Sequence, residues 1–314
     1  MSYKIVGIGE ALWDLLPTGP EMGGAPANFA YHAYALGARA CVITRVGKDQ
    51  YGDEIVRRFE DLGLTSTTVQ RDDAAPTGTV SVALSDNGIP EFTIRENVAW
   101  DHITVTNAAL TVMREADAIC FGSLAQRSEI SREAIQRLVA ASPAPAWRIF
   151  DINLRQQFYS HEVIEQSLKL ANVLKLNADE LPMVAKQFGI AGTVQEVVEG
   201  LARRYALLVV AVTRGPDGSL LYQNGRWSDH VAEKVTVKDT VGAGDSFTAA
   251  LCLGLLSRMD LDEINAAANQ VAAFVCGCAG ATPQLPDELR RLFAHSHRPS
   301  MPAPVIGAAA ATSP

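Results

Sequence analysis

A carboxylate beside a glycine-rich turn can take a proton from an alcohol while the turn's backbone N–H groups hold an anion. Residues 239–250 have that make-up, reading Asp-Thr-Val-Gly-Ala-Gly-Asp-Ser-Phe-Thr-Ala-Ala. Gly242 and Gly244 carry no Cβ, so the backbone there can approach a ligand closely. The apolar run over residues 247–256 predicts a buried helix, whose first N–H groups lack intrahelical partners and whose positive dipole end favours phosphate. Asp245 falls in the first turn of that helix. Its carboxylate has two readings there, a residue that caps the helix and matches its dipole or a general base, and the stretch by itself leaves both open. It is not a Walker A loop, which needs Gly-Lys-Ser/Thr. Nor is it a dinucleotide fingerprint, because Phe247 stands where the third glycine belongs.

Other polar residues fall at expected strand ends and helix starts. Asp14 closes the alternating segment 10–14, either as a site residue or as a turn residue ahead of Pro17 and Gly19. Gly23-Gly-Ala-Pro-Ala-Asn28 opens a helix with Pro26 in its first turn. Asn28, an amide beside a glycine pair, can bond hydroxyls of a polar ligand or serve as a cap. Arg155 ends the stretch Asp151-Ile-Asn-Leu-Arg155 at a strand's carboxyl end, where open α/β sheets place their ligands. It suits an anionic or hydroxyl-rich substrate, or an ion pair with Asp151. Asn177 and Glu180 have the spacing of a capping box, and the same oxygens could hold Mg²⁺ through water. Thr213-Arg-Gly-Pro-Asp-Gly218 is a glycine turn that could approach a nucleotide.

The elements that must carry these residues read as alternating strands and helices. Segments 3–9, 41–46, 118–121, 148–152, 172–176 and 206–212 read as strands, and 49–62 and 131–140 as helices, the rhythm of a parallel sheet. Segment 206–212 is the most apolar and is expected at the sheet's centre. Segments 77–84 and 91–95 flank Ser85-Asp-Asn-Gly88 as a hairpin. This hairpin breaks the rhythm and is a candidate lid, which segment 11–16 could join and in which Arg95 and Trp100 would meet the ligand. A second hairpin spans 220–231, an Ala-rich helix 261–278, and a short helix 286–294. The expectation is one domain over 1–295, with lid strands from about 11–22 and 76–98, and a disordered Ala/Pro/Ser-rich tail at 296–314.

Of the 314 residues 48% are hydrophobic, enough for a large core, and the net charge of −8 argues against nucleic acid or an anionic membrane as partner. Cys41, Cys120, Cys252, Cys276 and Cys278 are odd in number and lack a Cys-x-x-Cys pair, which fits free thiols in a reducing compartment. Cys276-x-Cys278 has no second pair or nearby histidine to complete a metal site. The apolar run at 5–8 is too short for a signal peptide and no run nears the roughly 20 residues of a bilayer span. A cytoplasmic protein is expected. Gly7-Ile-Gly9 hints at a dinucleotide-dependent oxidoreductase, but Leu12 occupies the third glycine's place.

Taken together, these stretches resemble the PfkB-type (ribokinase-like) carbohydrate kinases. Residues 239–247 match the family's C-terminal signature and Gly23-Gly-Ala-Pro-Ala-Asn28 resembles the N-terminal one. Asn177-x-x-Glu180, Thr213-x-Gly215-x-x-Gly218 and Asn269 follow in family order, so the similarity covers about residues 3–290. It implies a three-layer α/β/α fold with a mostly parallel, nine-strand-like sheet, a small β lid over a sugar, and often a homodimer formed through the lids. It also implies ATP-dependent phosphorylation of a sugar hydroxyl. Asp245 would be the base, and the N–H groups of Gly242, Ala243 and Gly244 the anion hole. Asp14, Gly24 and Asn28 would hold the sugar, Asn177 and Glu180 would organise Mg²⁺ and phosphate, and Thr213, Gly215, Gly218 and Asn269 would line the nucleotide site. Asp239, with carbonyls near Val241, Val275, Cys278 and Gly280, corresponds to a monovalent-cation (K⁺) site, where Gln284 replaces the usual serine.

Ala25 replaces a lysine common in ribokinases. Trp13-Asp-Leu-Leu-Pro17, Gly122-Ser-Leu-Ala-Gln-Arg127 and Asp151-x-Asn-x-Arg155 are more similar to fructokinases. The last also resembles 2-keto-3-deoxygluconate kinases, in which Arg155 would meet an acidic substrate. Fructose is the expected acceptor, with ketodeoxygluconate and ribose as alternatives. A catalytically silent sugar-binding regulator on the same fold is the alternative of a different class.

Overall fold

A computed structural model of the chain describes residues 2–84 and 90–293. The turn expected at 85–88 and the tail expected at 296–314 lie outside the described residues. Thirteen strands are described: β1 (Lys4–Ile8), β2 (Leu12–Leu16), β3 (Gly19–Gly23), β4 (Arg39–Gly47), β5 (Val69–Asp72), β6 (Gly78–Leu84), β7 (Pro90–Ile94), β8 (Ala118–Phe121), β9 (Trp147–Asp151), β10 (Val173–Asn177), β11 (Val209–Thr213), β12 (Ser219–Gln223) and β13 (Arg226–His230). Nine of them form one sheet in the order β13-β12-β11-β10-β9-β8-β1-β4-β5. From β5 to β11 every pairing is parallel, and β12 and β13 add an antiparallel edge. Strands buried on both faces need apolar side chains throughout, which Ala-Ile-Cys-Phe in β8 supplies, all four residues buried.

The sheet's two faces carry separate cores. On one side Phe29, Phe59, Phe247, Leu251 and Val271 are buried, from the helices Ala25–Ala35, Gln50–Asp61, Ala243–Leu256 and Leu261–Cys276. On the other Met113, Leu138, Ile164, Val184 and Leu201 are buried, from the helices Asn107–Arg114, Glu129–Ala140, His161–Leu170, Glu180–Gln187 and Val194–Tyr205. Three of these helices had no clear signal in the sequence. The most apolar segment forms β11, third from the antiparallel edge rather than central; β9 holds the middle. Its apolarity follows from burial on both faces, which any interior strand shares.

Register decides where chemistry can sit. Lys175 lies opposite Asp151, and Asn177 opposite Thr213, so β9, β10 and β11 end in polar residues along one edge of the sheet. The small sheet, β3-β2-β6-β7, rises beside that edge, with β2 parallel to β6 and the other pairs antiparallel. At its root Trp100 is completely buried, not a side chain facing ligand. The Arg127 guanidinium carbon lies 3.9 Å from the Trp100 ring centroid, and its Nε donates to Asp101 at 2.8 Å. Removing one partner of such a buried pair costs about 3–5 kcal/mol. Arg95 is exposed, and its carbonyl accepts from Arg127 Nη2 at 2.6 Å.

Candidate active site

The Ala243–Leu256 helix begins at Gly242, whose φ of 78° and ψ of −8° lie in the left-handed region. A Cβ there would stand 2.5 Å from the Ala281 carbonyl oxygen, so the turn needs glycine twice over. Ser246 N donates to Gly242 O at 2.8 Å, and Ala243 N reaches Thr240 O at 3.3 Å. The N–H groups of Gly242 and Gly244 find no carbonyl partner among the described residues. At this helix start the unpaired donors and the dipole favour an anion.

Asp245 sits in the first turn, and its hydrogen bond comes from across the site. Asn28 Nδ2 donates to Asp245 Oδ2 at 2.8 Å. Asn28 is buried in the Ala25–Ala35 helix, whose cap, Gly24, has φ 117° and lies against the Glu10 carbonyl. Burial, then the charge of Asp151, pushes the Asp245 carboxyl up to about 6, while Asn28, Lys175 and Arg155 pull it back. It is therefore ionised at neutral pH and can take a proton from a hydroxyl.

Asp14, on β2, is half-buried, and a Cβ on Gly23 would meet its Oδ2 at 2.5 Å. Its carboxyl is raised by burial and by Glu21, and lowered by Arg155. Arg155 is exposed and makes no ion pair among the described residues; Asp151 pairs instead with Lys175 at 3.1 Å, which replaces the Asp151–Arg155 pair considered from sequence. Glu10 escaped the sequence reading. It follows β1, is 2% exposed, and its Oε2 has no hydrogen-bond partner among the described residues. Burial first, and then the Asp245 charge, raise its carboxyl to about 7. The available signal was an acid set directly after an apolar strand.

Glu180 and Asn177 brace each other. Asn177 Oδ1 accepts from the N–H groups of Asp179 and Glu180, both at 2.9 Å. The Glu180 carboxylate accepts from Asn177 N and Leu154 N, both at 2.8 Å. Thr213 pairs with Asn177 in register, and its carbonyl accepts from Ala178 N at 2.9 Å. Gly215 and Gly218 bound the turn after β11, and Gly218, with φ 86°, lies where a Cβ would stand 1.9 Å from the His230 carbonyl oxygen. Asn269 points inward, its Nδ2 2.7 Å from Ser219 Oγ and 2.8 Å from Asn265 O. That makes it part of a buried amide network beneath β12. Asp239 joins two loops, accepting from Val241 N at 3.0 Å and Gly280 N at 3.1 Å. The Val275 carbonyl accepts from Cys278 N at 2.9 Å in the turn that ends the Leu261–Cys276 helix.

The arrangement brings Asp245, Asn28 and the Gly242–Gly244 turn together, with Asp14 and Arg155 near enough to share a field. Asn177 and Thr213 end β10 and β11, the next two strands beyond β9, and Glu180 opens the helix after β10. Among the described residues no group of three or more His, Cys, Asp or Glu could cage a metal ion. No described helix is long and apolar enough to cross a membrane.

Comparison with known proteins gives consistent matches. The model of the pfkB family carbohydrate kinases matches residues 19–288. A fructokinase of Escherichia coli is 30% identical over 303 residues, covering 91% of this chain and 97% of the relative. An uncharacterized sugar kinase of Pyrococcus horikoshii, solved in complex with ATP, has a TM-score of 0.77 and 28% identity, covering 92% of this chain and 99% of that one. Aminoimidazole riboside kinase of Salmonella enterica, complexed with its riboside and an ATP analogue, has a TM-score of 0.77 and 26% identity, covering 92% and 99%.

Proposed function

Because this chain belongs to the pfkB family of carbohydrate kinases, we propose that it transfers the γ-phosphoryl group of ATP to a hydroxyl of fructose. The observation that carries the reading is the Asp245 carboxylate, held by Asn28 and set among unpaired N–H groups at a helix start. A sugar hydroxyl beside Asp245 loses its proton to the carboxylate as it attacks phosphorus. The negative charge on the transferring group is met by the Gly242 and Gly244 N–H groups, and by that of Ala243 when it turns from its 3.3 Å bond to Thr240 O. Asp14, Gly24 and Asn28 hold the sugar, and Thr213, Gly215, Gly218 and Asn269 line the nucleotide side.

Mg²⁺ fits as an ion that arrives on the triphosphate and keeps most of its waters, since such ions take one or two carboxylates rather than a protein cage. Glu180 is the carboxylate offered, with Asn177 beside it. When bound, the ion would neutralise charge on the phosphates. K⁺ would stand beside Asp239 and the carbonyls near Val241, Val275, Cys278 and Gly280.

Arg155 supports a second reading. It has no ion-pair partner among the described residues, and a carboxylate on an acidic sugar such as 2-keto-3-deoxygluconate would supply one. Against it, Arg155 already lies in the field of Glu10, Asp14 and Asp245, which balances its charge without help from substrate. The test is a coupled ADP-release assay with Mg-ATP and a panel of fructose, ketodeoxygluconate, ribose, tagatose and adenosine. Fructose is expected to give the highest kcat/KM. A ketodeoxygluconate preference would overturn the neutral-sugar reading, and no ADP release with any of them would leave a sugar-binding regulator.

The small sheet ends in β3 and β7, whose outer edges have no partner among the described residues. Exposed edges favour pairing with another copy, so a homodimer closed through the lids is expected. Sedimentation velocity at micromolar concentration would read about twice the 33.6 kDa chain mass; a monomer there would count against it.

A further inference from the structure

Lys175 is a charged residue in the middle of an interior strand. β10 reads Val-Leu-Lys-Leu-Asn, and the lysine is only 7% exposed. A charge seldom goes unpaired at such a position, and its Nζ donates to Asp151 Oδ1 at 3.1 Å. The other Asp151 oxygen accepts from Thr248 Oγ1 at 2.8 Å, and Thr248 Oγ1 also lies 2.9 Å from Gly244 O. Three residues from β9, β10 and the Ala243–Leu256 helix thus form one buried chain ending at the glycine turn.

Gly244 of the turn lies against this ammonium. A Cβ at Gly244 would lie 3.1 Å from Lys175 Nζ. Gly244 has no positive φ to explain it, so the glycine serves close approach here, in contrast to Gly242. The lysine thus sits behind the backbone whose N–H groups would face a transferring phosphoryl group.

We propose that Lys175 is a positioning residue for phosphoryl transfer, its ammonium fixed by Asp151 against Gly244 so that a positive charge stands behind the anion-binding turn and opposes the Asp151 charge there. The inference rests on the sugar-kinase reading of the same site. It deepens it, because the ammonium adds a full buried charge behind the backbone dipoles of the turn, beside what Asn28 and Arg155 contribute at Asp245. The charges around Asp245 are Asp151 and Arg155 from β9 and the loop after it, Lys175 from β10, and Glu10 after β1. Around Lys175 stand Asp151, Glu180 and Asp245, and Cys120 from β8 lies within the same field. Asp245 is raised by Asp151 and lowered by Lys175, so the two partners of one ion pair act on it with opposite sign.

That opposition supplies the test. In Lys175→Gln an amide still reaches Asp151 but the charge is gone; in Asp151→Asn the carboxylate charge goes and the lysine stays. The Asp245 carboxyl is followed by ¹³C NMR titration of aspartate-labelled protein, assigned by its absence in Asp245→Asn, which needs no activity. The Asp245 titration is expected to move up by ~1 unit in Lys175→Gln and down in Asp151→Asn. The acid limb of kcat/KM would follow, about tenfold lower at a given acid pH in Lys175→Gln. Titrations that stay in place, or move the same way in both folded variants, would overturn the role. A shifted titration in a protein with no kinase activity on any sugar would instead leave the Lys175 field standing and remove the kinase reading. If Lys175→Gln does not fold, Asp151→Asn alone decides by the sign of its shift.

Discussion

Asp245→Asn is expected to lower kcat by at least ~10²-fold while ADP binding, read by isothermal titration calorimetry, is retained. Asparagine is nearly isosteric and can still face the Asn28 amide, which donates to Asp245 Oδ2 at 2.8 Å in the wild type. What it loses is the capacity to take a proton. The wild-type pH profile should show the same group. Asp245 is raised to about 6 by burial and Asp151, and a base works in its ionised form. The sign is therefore fixed: kcat/KM falls as pH drops through about 6, about tenfold per unit below it, and is level above. Loss of the Asp245 charge should also let the neighbouring Glu10 carboxyl ionise more readily, because that charge helps hold it at about 7. An Asp245→Asn protein with wild-type kcat would remove this residue from the base role.

Much of this arrangement is legible in local sequence pattern. The strand–helix rhythm follows from local pattern and led to the parallel sheet, and the hairpin that breaks it led to the small sheet beside it. Motif residues with a strong local signature, such as the Gly242 turn and Asn28, likewise stood out. Glu10 and Lys175 did not, and Asp151 stood out with the wrong partner, Arg155, because the pairing comes from register. Lys175 meets Asp151 only once β9 and β10 pair in parallel, and nothing within the five residues of β10 announces that partner. Trp100 failed for a related reason: nearness in sequence to the lid strands suggested a ligand contact, whereas packing beneath Arg127 makes it a support. The Asn269 amide nitrogen is likewise engaged with partners, Ser219 and Asn265, that only packing supplies.

Gly242→Ala should lower kcat by ~10²-fold or more and also lower the melting temperature. Two costs combine at this position. An alanine at φ 78° pays about 1–2 kcal/mol for left-handed backbone. Its Cβ would also lie 2.5 Å from Ala281 O and 2.9 Å from Ala281 Cα, both backbone atoms that no rotamer change can clear. The opposing loop is tied down in turn. His32, fully buried and driven down to about 4 by that burial, is neutral, and its Nε2–H donates to Ala281 O at 2.9 Å. Tyr31 Oη donates to Pro283 O at 3.0 Å. Both belong to the helix that carries Asn28, so room for the methyl group comes from shifting either the anion-binding turn or the helix that holds the Asp245 carboxylate. Gly189→Ala separates the two costs, because Gly189 has φ 65° yet a Cβ there would meet nothing within 4 Å. That variant should lose a comparable increment from backbone strain while keeping most of its turnover. Equal losses of kcat in both variants would mean that strain alone governs the turn, and that its contact with Ala281 does not hold the catalytic geometry.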